Sequence, residues 1–258
     1  MTTRLKHLRE AVLMILTFSS GAVDAVCFVS FGKVFTAFMT GNLVFLGIGA
    51  ASAFKPNGPD LVRVGVVIAA FIVGVFIAAR IIRRSRRSQA NGQGFTRSLA
   101  GVLCAQLVFL AGWIAVSGDP SSTYATALAA IEAVAMGMQS CAVGSLDVKS
   151  VFTTAATATL VNLWREAADR RASDTDPARL ARILICLIAG ATAGGLLLVH
   201  ARTYAPMLST LATAAALGVN LQARRRAELV VASSHDLVTS GDGPLVAGDT
   251  AVGYGEAA

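Results

Sequence analysis

The chain has 258 residues, 55% of them hydrophobic and 14% charged, and a mean hydropathy of +0.65. That is more apolar surface than a soluble domain of this length can bury, so an ordinary water-soluble fold is excluded. The net charge of +7 comes from arginines beside apolar blocks, which marks membrane anchoring in place of a nucleic-acid footprint.

Residues 1–9 carry Arg4, Lys6 and Arg9, and the first apolar block, 11–31, contains Asp24. It is too long for the apolar region of a signal peptide and leads directly into further membrane sequence. A second apolar stretch fills 34–53, interrupted by Thr40-Gly41-Asn42, and the turn residues of 55–60 close it. The block 61–82 runs into Arg80, Arg83, Arg84, Arg86 and Arg87, with Arg97 after a short Gly- and Ser-containing connection. Blocks at 99–117 and 124–145 flank the turn beginning at Gly118. A polar segment, 165–182, precedes the last two blocks, 181–199 and 203–222, and Arg224, Arg225 and Arg226 end the apolar region. From Ala227 onward there are five acidic residues and no Lys or Arg, a composition that predicts disorder. Cys27, Cys104, Cys141 and Cys186 all lie in apolar blocks without C-x-x-C spacing, which suits small core side chains better than a disulfide or a zinc site.

One stretch recurs. A shift of 117 sets residues 34–46 against 151–163, and seven of the thirteen pairs are identical, among them Thr36/Thr153 and Thr40/Thr157. If every apolar block crossed the membrane there would be eight spans, and alternation from a cytoplasmic N-terminus would put the arginines of 83–97 outside, against the bias of short basic loops toward the cytoplasm. If the two copies instead enter and return on one side, about six spans remain and every arginine cluster falls inside. The expected fold is therefore an all-α integral membrane protein of about six transmembrane helices plus two broken or re-entrant segments. Repeat 1, residues 11–82, and repeat 2, residues 128–199, then start from opposite sides as an inverted repeat, an architecture that recurs in secondary transporters and some channels. The predicted organisation is a cytoplasmic N-terminus (1–10), a membrane domain (11–222) and a disordered acidic tail (223–258).

The run Gly21-Ala22-Val23-Asp24-Ala25, then Phe35, then Met39-Thr40-Gly41-Asn42-Leu43, resembles the YoaK family (domain of unknown function 1275), bacterial membrane proteins without an established activity. The likeness covers roughly residues 10–222, and Asp24 followed by Thr40-Gly41-Asn42 is its most specific part. In the second copy Thr157-Ala158-Thr159 stands where related sequences often have Thr-Gly-Thr. The resemblance implies a membrane location.

Polar groups inside the blocks carry whatever chemistry exists. Asp24 is the sharpest, since an ionisable group in hydrocarbon faces a cavity or a partner; proton coupling and helix-to-helix bonding are the two readings. Gly41 permits a break and Asn42 can cap a half-helix, with a continuous, closely packed helix as the alternative. Glu132 is placed toward the outer end of its block. Gln139 and Ser140 occupy the second repeat's equivalent of the region before Asp24. Thr153, Thr154, Thr157, Thr159 and Asn162 crowd the second copy, where interhelical bonding is the plainer role. Gly190 and Gly194 form a G-x-x-x-G packing pair. Lys33 and Lys149 suit snorkelling, and His200 an interfacial position.

These residues point to a small-solute secondary transporter or channel of the bacterial cytoplasmic membrane. Asp24, Thr40, Gly41, Asn42, Gln139, Thr157 and Asn162 form the expected solute or ion pathway, with no metal and no cofactor. A non-catalytic accessory or structural membrane protein is the alternative. No P-loop, Rossmann fingerprint, H-E-x-x-H or G-x-S-x-G motif occurs, so no enzyme is expected. The expected partners are the lipid bilayer, an unidentified small solute and, as an open option, a second copy of the chain; nucleic acid is not one.

Overall fold

A computed structural model describes residues 2–51, 60–88, 93–146, 156–168 and 177–239. Among them the chain is helical and contains no strand: α1 (Thr2–Ser30), α2 (Met39–Ala51), α3 (Leu61–Arg87), α4 (Gln93–Ala115), α5 (Ser122–Gly144), α6 (Ala156–Ala168), α7 (Pro177–His200), a 3-10 turn (Arg202–Tyr204) and α8 (Met207–Thr239). Local chemistry sets several of these bounds. Asp60 accepts the Val62 and Arg63 amides at 3.0 and 3.1 Å and so caps α3. Pro177 occupies the first position of α7, where its missing N–H costs nothing.

Among the described residues, five helices are long and apolar enough to cross a membrane: residues 7–30 of α1, then α3, α4, α5 and residues 178–200 of α7. Helix α8 falls short on composition, because Ser209, Thr210, Thr213, Asn220 and Gln222 interrupt its apolar residues before Arg224. It nevertheless runs the length of the bundle, from the 3-10 turn to Asn220, whose Nδ2 donates to Thr96 Oγ1 at the start of α4 (2.8 Å). The helix continues to Thr239, into the segment expected to be disordered; no Gly or Pro occurs between Ala227 and Thr239 to stop it. Contacts divide the chain into Met1–Leu221 and Gln222–Ala258.

Side-chain bonds show which helix ends lie together. At one end, Arg63 at the start of α3 donates to Phe31 O just past α1 and to Ser122 O at the start of α5, at 2.8 and 3.0 Å. The same end holds Trp113 of α4, which donates to Arg202 O, and Arg202, which donates to Gly118 O. The opposite, arginine-rich end joins Glu10 of α1 to Arg179 of α7 at 3.6 Å and brings Gly94 of α4 against Ile82 and Ser85 of α3. It follows that α1, α4 and α7 run one way and α3, α5 and α8 the other.

Since α1 ends where α3 begins, and α5 ends at the end where α7 begins, neither α2 nor α6 carries the chain across. Each has 13 residues, about 20 Å of helix against ~30 Å of hydrocarbon. As expected, the two copied stretches form short helices that do not carry the chain from one end of the bundle to the other. The bounds of α6 are those of α2 shifted by 117 at both ends, the same shift that aligns the repeated sequence.

Two helices form the centre. The apolar windows of α1 and α5 are 67% and 61% buried, against 22–33% for α3, α4 and α7. The outward side chains of these last three, Ile72, Phe76, Val108, Ile185 and Ile188 among them, are apolar and exposed, the pattern of a lipid-facing surface. The largest interfaces join α1 to α7 and α3 to α5, with α4 on α5 next. Small residues make both close. A Cβ at Gly21 would strike Leu187 O, and one at Gly190 or Gly194 would strike Phe18 O or Ala22 O. In α3 and α5, Gly74 meets Val134 O and Gly137 meets Phe71 O in the same manner. The G-x-x-x-G pair of α7 is thus a parallel helix-packing device.

Candidate functional site

Helix α1 stops at Ser30, and the chain turns through Gly32 (φ +75°) and Lys33 (φ +67°), left-handed conformations that end the helix. Residues 31–38 are not helical; they double back along α1 until Thr36, Ala37 and Phe38 reach Asp24. Asp24 Oδ1 accepts from Thr36 N (2.7 Å), Thr36 Oγ1 (2.9 Å) and Ala37 N (2.8 Å), and Oδ2 accepts from Phe38 N (3.2 Å). All four partners donate, so Asp24 serves solely as an acceptor. It neutralises the free amides that precede α2, whose helix dipole favours a negative group there.

Asn42 closes the loop from the other side. Its Nδ2 donates to Phe35 O at 2.6 Å and its Oδ1 accepts from Phe35 N at 3.0 Å, so one carboxamide satisfies both backbone groups of a residue outside any helix. Phe35 stacks on Phe28 of α1 and Phe45 of α2, with ring centroids 4.7 and 6.0 Å apart. Gly41 leaves room for that ring, since a Cβ there would lie 2.9 Å from Phe35. The break therefore sits upstream of where the sequence reading put it. Thr40, Gly41 and Asn42 belong to the first turn of α2; Gly41 serves packing, and Asn42 ties the loop down without capping the helix.

The remaining expected pathway residues are dispersed. Thr40 and Thr157 are exposed and Asn162 is half-buried on α6. Helix α2 packs on α3, and α6 on α7. Thr159, which the 117 shift equates with Asn42, is buried. Thr153, Thr154 and Lys149 lie outside the described residues. Gln139 is fully buried and donates to Ser20 Oγ (2.9 Å) and Leu16 O (3.2 Å), which binds α5 to α1 at the centre of the bundle. Ser140 donates to Met136 O within its own helix.

Glu132 is the eleventh of the 23 residues of α5, so it lies at mid-helix, deeper than the outer-end position expected for it. Gln106 of α4 donates to its Oε1 at 3.2 Å. Both side chains are fully buried. Among the described residues no three His, Cys, Asp or Glu side chains converge on a common point.

Comparison with known proteins gives the same extent as this architecture. The profile of a family described as "Protein of unknown function (DUF1275)" matches residues 12–219, from α1 into α8. The chain belongs to the DUF1275 family. It is 25% identical over 162 residues to the UPF0700 transmembrane protein YoaK of Bacillus subtilis (strain 168), an alignment that covers 63% of this chain and 68% of that protein. No solved structure matches. Like that relative, this DUF1275 member is a membrane protein with several apolar helices.

Three residues of this DUF1275 chain went unnoticed in the sequence. Gln106 is a carboxamide inside the apolar block 99–117, and the argument that singled out Asp24 applies to it equally. Ser20, beside Gln139, resembles any helix-packing serine. Arg63 reads as an interfacial anchor but is buried, with its guanidinium bonded to Phe31 O, Ser122 and Thr126 Oγ1; no local pattern marks that role.

Proposed function

We propose that the protein is a small-solute secondary transporter or channel of the bacterial cytoplasmic membrane, built from two inverted three-helix repeats, α1–α2–α3 and α5–α6–α7. The observation that carries this reading is an exchange of contacts between the two units. Under a shift of 116 the contact of Gly21 with Leu187 O becomes that of Gly137 with Phe71 O reversed between repeats, and Gly190 against Phe18 O becomes Gly74 against Val134 O. Helices α1 and α5 then correspond, and Ser20 and Met136, equivalent under the same shift, touch one another at 4.0 Å. A pseudo-twofold axis in the membrane plane passes between them. Units so related, each with a central helix that stops within the bilayer, are the parts that rock against one another in alternating access.

Unwound backbone at membrane depth is tolerated where protein or a water-lined cavity satisfies it, and in repeat 1 Asp24 and Asn42 do this internally. The polar groups at the junction of the two units are Ser20 of α1 and Gln139 of α5, bonded to one another at 2.9 Å in the arrangement seen here. By the basic-loop bias, the arginine-rich end, with Arg83, Arg84, Arg86 and Arg87 on α3, is the cytoplasmic face in this reading.

Proteoliposomes holding the purified protein test this against a panel of small polar solutes. The reading predicts saturable flux of at least one solute, and predicts that oxidising the double variant Ser20→Cys/Met136→Cys arrests that flux reversibly, because the disulfide locks one arrangement of the units. Absence of flux for the whole panel, or flux indifferent to the locked disulfide, would contradict it.

A further inference from the structure

Three buried carboxyl or carboxamide oxygens have no hydrogen-bond partner among the described residues: Glu132 Oε2, Gln106 Oε1 and Gln139 Oε1. All three side chains are fully buried, and an unmade bond in such a place is costly. Glu132 and Gln106 face each other as a carboxyl and a carboxamide with only one of two possible bonds formed, Gln106 Nε2 to Glu132 Oε1 at 3.2 Å. A carboxylate oxygen and an amide oxygen both accept, so neither can serve the other; one proton on Oε2 turns the carboxyl into a donor. The carboxamide of Asn42, by contrast, has both its oxygen and its nitrogen engaged by Phe35.

Position agrees with a role beyond packing. Ten residues of α5 separate Glu132 from Ser122, about 15 Å at ~1.5 Å per residue and hence near the centre of a ~30 Å core. The groups that face it are few. From α1, Asp24 and Cys27 lie within electrostatic reach, and Asp24 already has its full set of four donors. From α4 comes Gln106. On α3, Arg63 is taken up by Phe31, Ser122 and Thr126, and Arg80 lies over Phe76 at the surface. Glu132 therefore has no cation to balance it among these neighbours.

We propose that Glu132 is a proton-binding site at the centre of the membrane domain, positioned by Gln106, and that this proton is the ion that moves with the solute; the last step rests on the transport reading above. In loading, Glu132 Oε2 takes a proton from hydronium admitted between α1 and α5 and leaves water behind. In release, the same O–H bond breaks and the proton returns to water on the other face. Asp24, the more conspicuous carboxyl in the sequence, holds the loop and carries no proton in the cycle.

Infrared spectroscopy of the full-length protein in nanodiscs, titrated from mildly acid to mildly alkaline pH in H2O and D2O, tests the site without any solute. The expected result is a protonated-carboxyl band that shifts in D2O, fades as pH rises, is lost in Glu132→Gln and is displaced in Glu132→Asp. The second variant secures the assignment if the first folds poorly. Gln106→Leu should move both the band and the pH at which it half fades. An absent or pH-indifferent band, a band that survives in Glu132→Gln, or one that responds to Na+ in place of pH would overturn the proposal; no change in Gln106→Leu would overturn the positioning role. A titrating Glu132 in a protein that moves no solute would sink the transport reading and leave the proton site standing. Solute flux with a silent Glu132 would do the reverse.

Discussion

Replacing Asp24 with alanine removes the acceptor that four donors share, three of them buried and the fourth, Phe38 N, partly so. Three backbone amides, of Thr36, Ala37 and Phe38, and the Thr36 hydroxyl lose their partner. A buried donor left unpaired costs about 1–3 kcal/mol; the hydroxyl can rotate and the loop can shift, which brings the expected loss to about 3–5 kcal/mol. Asp24→Asn is the sharper comparison. Its amide oxygen can keep the three contacts made by Oδ1, while its NH2 replaces the Oδ2 that accepts from Phe38 N at 3.2 Å, so about 1–2 kcal/mol should be lost. Reversible unfolding in mixed micelles, followed by circular dichroism through an SDS titration, ranks the two. The reasoning fails if Asp24→Ala lies within ~0.5 kcal/mol of the unsubstituted protein, or if Asn costs more than Ala.

Other substitutions test separate parts of the structure. Asn42→Asp keeps the oxygen that receives Phe35 N–H but sets a second oxygen against Phe35 O, and a loss of about 1–3 kcal/mol should appear in the same unfolding assay. At the α1–α7 contact, Gly194→Ala collides with Ala22 O whereas its neighbour Gly195 has open space around it. The first should lose about 1–3 kcal/mol and Gly195→Ala should be neutral or slightly stabilising, which thermal melts in detergent will separate. Arg63→Lys should not restore what Arg63→Met loses, because one ammonium cannot reach Phe31 O, Ser122 and Thr126 together; equal stability of the Lys variant and the unsubstituted protein would contradict this.

Much of the architecture could be read from charge and repetition. The arginines of 83–97 argued that two apolar stretches fail to cross, and the helix ends joined by Arg63, Arg202 and Arg179 agree with that argument. The repeat of residues 34–46 found its counterpart in two helices of equal length. The location of the break was not legible, because Thr40-Gly41-Asn42 looks like an interruption, whereas Gly32 and Lys33, which make the turn, follow an ordinary apolar run. Long-range pairing was hidden too. Nothing near Asp24 indicates that its partners are amides twelve to fourteen residues later, so a carboxyl that holds a loop could not be told from one that moves protons. Gln106 and Glu132 come together only because α4 and α5 are antiparallel neighbours.

The central claim is that α2 and α6 each leave the membrane on the side from which they entered. Single cysteines at the exposed positions His7, Val62, Ser88, Thr123 and Ala178, in a background without the four native cysteines, can be probed with a membrane-impermeant thiol reagent applied to one face at a time. The account predicts that His7→Cys, Ser88→Cys and Ala178→Cys react from one face, and Val62→Cys and Thr123→Cys from the other. Labelling of Val62→Cys from the face that reaches His7→Cys, or of Ala178→Cys from the face opposite Ser88→Cys, would mean that a short helix crosses after all.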